Sequence, residues 1–158
     1  MKKLITLLLL GSIYYSSAQD AKTTRWEVPY VGSSPNVLYL PDANAVYWRY
    51  GWETKMMQNK GIIIKGKFPD ARYFSYNVYD DNTKSSIGSI ADFTIKPDDS
   101  KNNYTIYIVP EDSKIKAANV IYYNKNIEKV SVILRYYLPN NNIFGNQALP
   151  SIKIYNVI

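Results

Sequence analysis

Short runs of β-branched and aromatic residues, separated by clusters of turn-forming residues, make up most of this chain. Such runs favour β-strands, and proline, glycine, asparagine and aspartate mark the turns between them. The pattern predicts strands at residues 46–52, 61–68, 72–79, 91–96, 104–109, 120–123, 129–138 and 151–157. Residues 25–40 are expected to add one or two shorter strands, and residues 87–90 and 111–118 could each hold one helical turn.

Alternation along the longest predicted strand shows which face each side chain takes, because successive residues of a strand point to opposite sides. One face of this strand carries Val130, Val132, Leu134 and Tyr136, and the other carries Ser131, Ile133, Arg135 and Tyr137. Both faces are partly apolar, which is typical of a strand in the middle of a sheet. About eight such strands in 158 residues predict a single-domain, all-β, antiparallel β-sandwich of jelly-roll-like form with little helix, and a closed barrel is the second choice.

The N-terminus has the features of a secretion signal. Lys2 and Lys3 precede an apolar run, and Ser16 and Ala18 then supply the small residues that a signal peptidase accepts. The expected domain plan is a cleaved signal peptide at 1–18, an N-terminal extension at 19–43 and the β-sandwich at 44–158. The mature protein is expected to be exported from a bacterial cell, periplasmic or secreted, without a membrane span.

Composition excludes several classes of site. The chain has no cysteine and no histidine, which excludes disulfides, thiol or imidazole metal ligands and histidine-dependent nucleophiles. Asp80, Asp81 and Asn82 could in principle supply oxygen ligands to calcium, but the segment lacks the glycine that an EF-type loop requires. We therefore expect no metal and no cofactor. The net charge of +6 falls to +4 when Lys2 and Lys3 leave with the signal, and the lysines are scattered. Because a nucleic-acid surface needs clustered cations, no nucleic-acid partner is expected.

One segment resembles a known family. Residues 66–80 follow the pattern G-x-F-P-D-A-R-Y-x-S-x-x-x-Y-D, and the strand from Leu134 to Pro139 follows L-R-x-Y-x-P. Both are similar to motifs of the bacterial domain of unknown function twelve-fourteen, and the similarity extends from Asn44 to the C-terminus. The resemblance implies a jelly-roll-like sandwich in exported or envelope proteins, often beside a second uncharacterised domain, and it implies no agreed activity.

Two arginines lie within apolar strands. A buried guanidinium needs carboxylate or carbonyl partners because it stays protonated. Arg72 and Arg135 could therefore form structural ion pairs, with Asp70, Asp80 or Asp92 as candidate partners, or they could bind the carboxylate, phosphate or hydroxyl groups of a ligand. The structural interpretation is favoured. The full set of candidate ligand-binding residues is Trp48, Arg72, Tyr73, Ser75, Asp80, Asp92, Arg135 and Tyr137.

Aromatic residues are concentrated in the first predicted strand of the sandwich. Alternation places Trp48, Tyr50 and Trp52 on one face, with Tyr47 and Arg49 on the other. Such a row could stack against sugar rings if it were exposed, but aromatic residues in strands are more often core. We therefore favour the core interpretation.

Three function classes remain open. The favoured hypothesis is a non-catalytic ligand-binding or interaction module, with a carbohydrate or a small acidic ligand. The second is a histidine-free enzyme that uses an Arg/Asp/Tyr pocket, and it requires at least two of these groups to converge on one substrate. The third is a structural or accessory subunit that packs against another envelope protein.

Overall fold

The computed structural model describes residues 25–27, 30–31, 44–139 and 149–157. The predicted signal peptide, its cleavage position and most of the 19–43 extension lie outside these residues. The short strand predicted between residues 25 and 40 is present in part, as Tyr30–Val31.

Nine strands and one 3-10 helix form the described part of the chain. The strands are β1 Tyr30–Val31, β2 Ala45–Glu53, β3 Lys60–Lys67, β4 Ala71–Asp80, β5 Ser86–Ala91, β6 Asn103–Pro110, β7 Val120–Tyr123, β8 Lys129–Pro139 and β9 Ser151–Asn156, and the 3-10 helix is Thr54–Met57. One sheet has the order β1-β2-β8-β4-β5 and the other the order β7-β6-β3-β9. The predicted all-β sandwich is confirmed.

The core lies between the two sheets and follows the predicted alternation. The first sheet contributes buried side chains from β2, β4 and β8, and the second contributes them from β3, β6, β7 and β9. The most deeply buried members include Trp48, Phe74, Tyr76, Val78, Val132, Leu134 and Tyr136 from the first sheet, and Ile62, Ile64, Tyr104, Ile106 and Ile108 from the second. Burial of these side chains supplies the main stabilisation of a fold without disulfides.

The prediction for β5 was wrong. β5 runs over Ser86–Ala91, a segment in which the sequence allows a helical turn at 87–90. The strand predicted at 91–96 shares only Ala91 with β5, and residues 92–94 form a turn. Thr94 donates its hydroxyl to the Ala91 carbonyl, and the Ala91 amide donates back to Thr94 Oγ1. These local bonds compete with strand pairing after Ala91, while β5 is stabilised by its pairing with β4.

The prediction of a purely antiparallel sandwich needs one correction, because β6 and β7 pair in parallel. The chain returns along β6 through residues 111–119, in which the structure has no helical turn. Buried Asn119 ends this return: its side chain accepts from Lys96 N and donates to the carbonyl oxygens of Lys96 and Thr105. A buried side chain with all these hydrogen bonds satisfied fixes the start of β7.

The N-terminal segment closes one side of the sandwich. Trp26 packs against Tyr76, with ring centroids 6.3 Å apart, and donates its indole N–H to the Pro150 carbonyl at 2.8 Å. The Glu27 amide donates to the Arg49 carbonyl, and β1 pairs with Val46 and Tyr47. The described part of the extension is thus part of the sandwich, and it covers the β2 edge only as far as Arg49.

Candidate functional site

The outer face of the first sheet brings together four of the predicted site residues. Antiparallel pairing places Arg135 of β8 opposite Ser75 of β4, and Tyr137 opposite Tyr73. On the other side of β8, Tyr47 of β2 also lies opposite Arg135. All of these side chains point away from the core because they alternate with core residues.

Three tyrosine rings surround the Arg135 guanidinium. Its Cζ atom lies 5.8 Å from the Tyr47 centroid, 6.0 Å from Tyr73 and 5.4 Å from Tyr137. These distances are in the range of cation–π attraction. We call Tyr47, Tyr73, Arg135 and Tyr137 the tyrosine–arginine cluster. The ring contacts stabilise the cation, and they differ from the ion pairs with Asp70, Asp80 or Asp92 that the sequence suggests.

The other four predicted residues lie elsewhere. Trp48 is in the core, with its ring edge-on to Tyr136. Arg72 is exposed. Asp80 accepts hydrogen bonds from the backbone of the β4–β5 turn, and Asp92 accepts from the Phe93 amide.

Arg72, Asp80 and Asp92 do not converge on one pocket, whereas Tyr73 and Arg135, which a histidine-free enzyme could also use, lie together in the tyrosine–arginine cluster. Arg72 and Asp80 are eight positions apart on β4, which separates them by roughly 26 Å. The Asp92 amide donates to the Phe74 carbonyl, so Asp92 lies near the middle of that strand. The geometry therefore gives no support to catalysis by Arg72, Asp80 and Asp92 acting together.

A concave site lies beside the part of β2 that β1 does not cover. This β2 cleft has a volume of about 550 Å³. Its apolar lining consists of Tyr50, Trp52, Met56, Met57 and Ile154. Its charged residues, which we call the rim, are Arg25, Arg49, Glu53, Asp81 and Lys129. An apolar lining with a few polar groups is typical of small-ligand sites.

Two aromatic rings that line the β2 cleft stack against each other. The Tyr50 and Trp52 rings lie 6.0 Å apart with an interplanar angle of 27°. Trp52 is buried and also contacts Tyr123 edge-on, whereas Tyr50 is half-buried. The core interpretation of the aromatic row is thus confirmed for Trp48 and Trp52, while Tyr50 lies at the border of the core and the cleft.

Arg49 organises the charged side of the cleft. Its guanidinium donates to Glu27 Oε1 at 2.6 Å and to Asp81 Oδ2, and Ser131 donates its hydroxyl to Asp81 Oδ1 at 2.7 Å. Burial by itself lowers the pKa of Arg49, but the hydrogen bond and charge of Glu27 and the charge of Asp81 outweigh it, and the pKa is raised. The guanidinium is therefore a fixed, permanently charged group.

The charges around the β2 cleft nearly cancel. Arg25, Arg49 and Lys129 of the rim exceed Glu53 and Asp81 by one positive charge. Glu27, which pairs with Arg49, and Lys55, which pairs with Glu53, add one charge of each sign. This small positive excess does not select strongly for an anion. A ligand with an apolar face and hydrogen-bonding groups at its edges would match both the apolar lining and the rim.

Sequence reasoning missed most of the β2 cleft. Alternation correctly predicts that Arg49 lies on the face opposite Trp48. Arg49 is not among the predicted site residues. The available signal was an arginine within an aromatic strand, a position where a guanidinium needs partners. Those partners come from the N-terminal segment and the β4–β5 turn, and local sequence could not identify them.

Comparisons with known proteins support the fold. The chain matches no family model and no curated protein. A crystal structure of an uncharacterised protein from Burkholderia cenocepacia has a TM-score of 0.58 at 11% identity, over 73% of this chain and 31% of that chain. The VPA0106 protein from Vibrio parahaemolyticus has a TM-score of 0.57 at 21% identity, over 74% and 32%. This chain therefore spans about a third of each neighbour, and the similarity at these identities shows the sandwich fold alone.

Two features are absent from the described residues. Within residues 25–27, 30–31, 44–139 and 149–157, no helix has the length and apolar character that crossing a bilayer requires. The same residues contain no group of three or more acidic side chains placed to hold a metal ion.

Proposed function

We propose that this protein is an exported, non-catalytic binding module that takes a carbohydrate or a small acidic ligand in the β2 cleft. The observation that supports the proposal is the stacked Tyr50–Trp52 pair beside a charged rim. An aromatic wall provides apolar contact area, and the rim provides donors and acceptors for hydroxyl or carboxylate groups.

Ligand titration tests the binding proposal. Calorimetry and thermal shift would be measured with neutral sugars and with small carboxylic acids. We expect saturable binding that Tyr50→Ala weakens at least fivefold. Phe93→Ala is the matched control, because Phe93 is an exposed aromatic residue outside the cleft. Equal affinities of wild type and Tyr50→Ala would contradict the location of the site.

The tyrosine–arginine cluster is the alternative location. Tyr73 and Tyr137 are half-buried there, beside Arg135. If Tyr73→Ala weakens binding and Tyr50→Ala does not, the ligand binds at the cluster. If the order is reversed, it binds in the β2 cleft.

The rim supplies a second test of the same proposal. Arg25 and Lys129 line the cleft, whereas the exposed Arg72 does not. Arg25→Ala or Lys129→Ala is expected to weaken a carboxylate ligand more than a neutral sugar, and Arg72→Ala is expected to change neither affinity. This comparison separates acidic ligands from neutral ones.

Export is the part of the proposal that rests on the N-terminal sequence. The basic start, the apolar run and the small residues before Gln19 support it. Mass spectrometry of the protein from periplasmic and culture fractions should find Gln19 as the first residue. Full-length chain confined to the cytoplasm would contradict export.

A second candidate role is an accessory unit of an envelope assembly. In the two structural neighbours, the matching region makes up about a third of a longer chain. This favours a domain that functions while packed against another domain. Cross-linking in envelope extract, followed by purification of the tagged chain, should identify one stoichiometric partner if this role is correct. A monomer without a cross-linked partner would favour the binding module alone.

A further inference from the structure

A second cavity lies on the other side of the 3-10 helix from the β2 cleft. It has a volume of about 630 Å³. Side chains that can hydrogen-bond line it, among them Gln58, Asn59, Ser113, Lys114 and Asn126. We call it the amide cavity. Both volumes are in the usual range for small-ligand sites.

The two cavities share one wall. Met57 lines both, and beneath it Trp52 of the β2 cleft contacts Tyr123 of the amide cavity, with ring centroids 5.8 Å apart. The wall between the openings is the four-residue helix Thr54–Met57, of which Thr54, Lys55 and Met57 line the amide cavity and Met56 and Met57 line the β2 cleft. A ligand of more than one ring could reach from one cavity to the other.

The top of this wall is apolar and exposed. Met56 has 65% of its surface accessible and also lines the β2 cleft. A flexible thioether can follow the irregular apolar face of a ring that lies across it. The ridge between the cavities thus offers a contact for the middle of an extended ligand.

The amide cavity is better suited to hydroxyl groups than to strong anions. Two of its lysines are already paired, Lys55 with Glu53 at 3.0 Å and Lys125 with Asp112 at 2.6 Å. Lys114 also lines the cavity, and the rest of the polar lining consists of amides and hydroxyls, which both donate and accept hydrogen bonds. Together with the small net charge of the β2 cleft, this favours a ligand rich in hydroxyl groups.

We infer that the β2 cleft and the amide cavity form one extended site for an oligosaccharide. One sugar ring lies against the half-buried Tyr50, the chain crosses Met56, and further rings hydrogen-bond in the amide cavity. This inference rests on the proposed function, and it names the ligand class and the length that the site accepts.

Calorimetric titration with sugars of increasing length tests the inference. The probes are glucose and N-acetylglucosamine as monomers, and their β-linked dimers and tetramers. For the sugar that binds, we expect affinity to rise at least tenfold from monomer to tetramer, because the longer chain makes contacts in both cavities. Tyr50→Ala should weaken the monomer and the tetramer alike.

Variants of the amide cavity give the decisive comparison. Gln58→Ala and Asn126→Ala should each weaken the tetramer at least threefold and leave the monomer unchanged. Asn82→Ala is the matched control, since Asn82 is an exposed amide that does not line the cavity. Circular dichroism and urea unfolding of each variant would establish that it is folded.

Three negative results have different meanings. If monomer and tetramer bind equally and Asn126→Ala changes neither, the extended site is wrong and the β2 cleft stands as a site for one ring. If no sugar binds to the folded wild-type protein while a carboxylic acid does, the saccharide inference is wrong and the binding proposal stands. If no ligand of either class binds, both fail.

Discussion

The hydroxyl groups of Tyr76 and Tyr104 form a 2.6 Å hydrogen bond in the centre of the sandwich. Tyr76 belongs to β4 of the first sheet and Tyr104 to β6 of the second. Both side chains are fully buried. The pair therefore joins the two layers through a polar contact within the core, in which one hydroxyl donates and the other accepts.

Removal of both hydroxyls should cost less stability than the two single removals added together. Tyr104→Phe leaves the buried Tyr76 hydroxyl without its Tyr104 partner, and we expect a loss of about 1–3 kcal/mol in the free energy of unfolding. The double variant Tyr76→Phe/Tyr104→Phe should lose less than the sum of the two single variants, because no hydroxyl of the pair remains buried alone. Urea unfolding of the four proteins measures this coupling, and additive losses would contradict it.

Gly66 makes room for the same pair. It lies opposite Tyr104 in the β3–β6 pairing, and a Cβ atom there would be 2.6 Å from Tyr104 Oη and 2.7 Å from Cζ. Because the Tyr104 ring is held by its neighbours, Gly66→Ala should destabilise the protein by about 1–3 kcal/mol. Gly88→Ala is the control, since its nearest neighbour would be Ile121 Cγ2 at 3.0 Å. The melting temperature should fall further for Gly66→Ala, and the reverse order would contradict this account.

The buried tyrosines predict loss of stability in alkali. Burial raises the pKa values of Tyr76, Tyr104 and Tyr136 above the ordinary value of 10.0. The unfolded chain ionises near pH 10 while the folded chain keeps these phenols neutral, so their contribution is complete below pH 10 and is lost as pH rises above it.

Each such group changes the free energy of unfolding by about 1.4 kcal/mol per pH unit above pH 10. In an alkaline titration, the phenolate absorbance that these three buried tyrosines contribute should therefore appear together with the loss of the circular dichroism signal. The Tyr76→Phe/Tyr104→Phe variant should show a shallower pH dependence. Ionisation of all tyrosines near pH 10 without unfolding would contradict the prediction.

The two carboxylates on Arg49 should differ in their effect on stability. The Asp81 side chain is 11% exposed and also accepts from Ser131, whereas the Glu27 side chain is 52% exposed. Asp81→Ala should cost about 1.5–3 kcal/mol, as expected for a charged hydrogen bond that is largely buried. Glu27→Ala should cost less than about 1 kcal/mol, because water screens the exposed pair. Urea unfolding at low and high salt tests both values, and equal losses would contradict the argument.

The strands with dense apolar patterns were predictable from sequence. β8, expected at residues 129–138, is Lys129–Pro139, and its two faces are divided as alternation predicted. β5 was missed because Ser86–Ala91 contains glycine and two serines, which have weak strand preference. Its strand form depends on pairing with β4, and that contact is not visible in a local window.

The candidate sites show the same division. Alternation correctly placed Arg135 and Tyr137 on one face of β8. That β4 lies beside β8, so that Tyr73 and Ser75 meet these two residues, is a feature of the tertiary structure. The β2 cleft is still less local, because it joins Arg25 near the start of the described chain to Ile154 near its end.

The amino-acid sequence by itself determined where most strands lie, which side chains face inward, and which cysteine- and histidine-dependent sites are impossible. Only the tertiary structure decided the order of the strands, the parallel pairing of β6 with β7, and the positions of the cleft and the cavity. The physical reason is that strand period and turn chemistry are local. Strand order, in contrast, is set by the burial of many side chains at once, and the entropy of closing a connecting loop depends only weakly on its length.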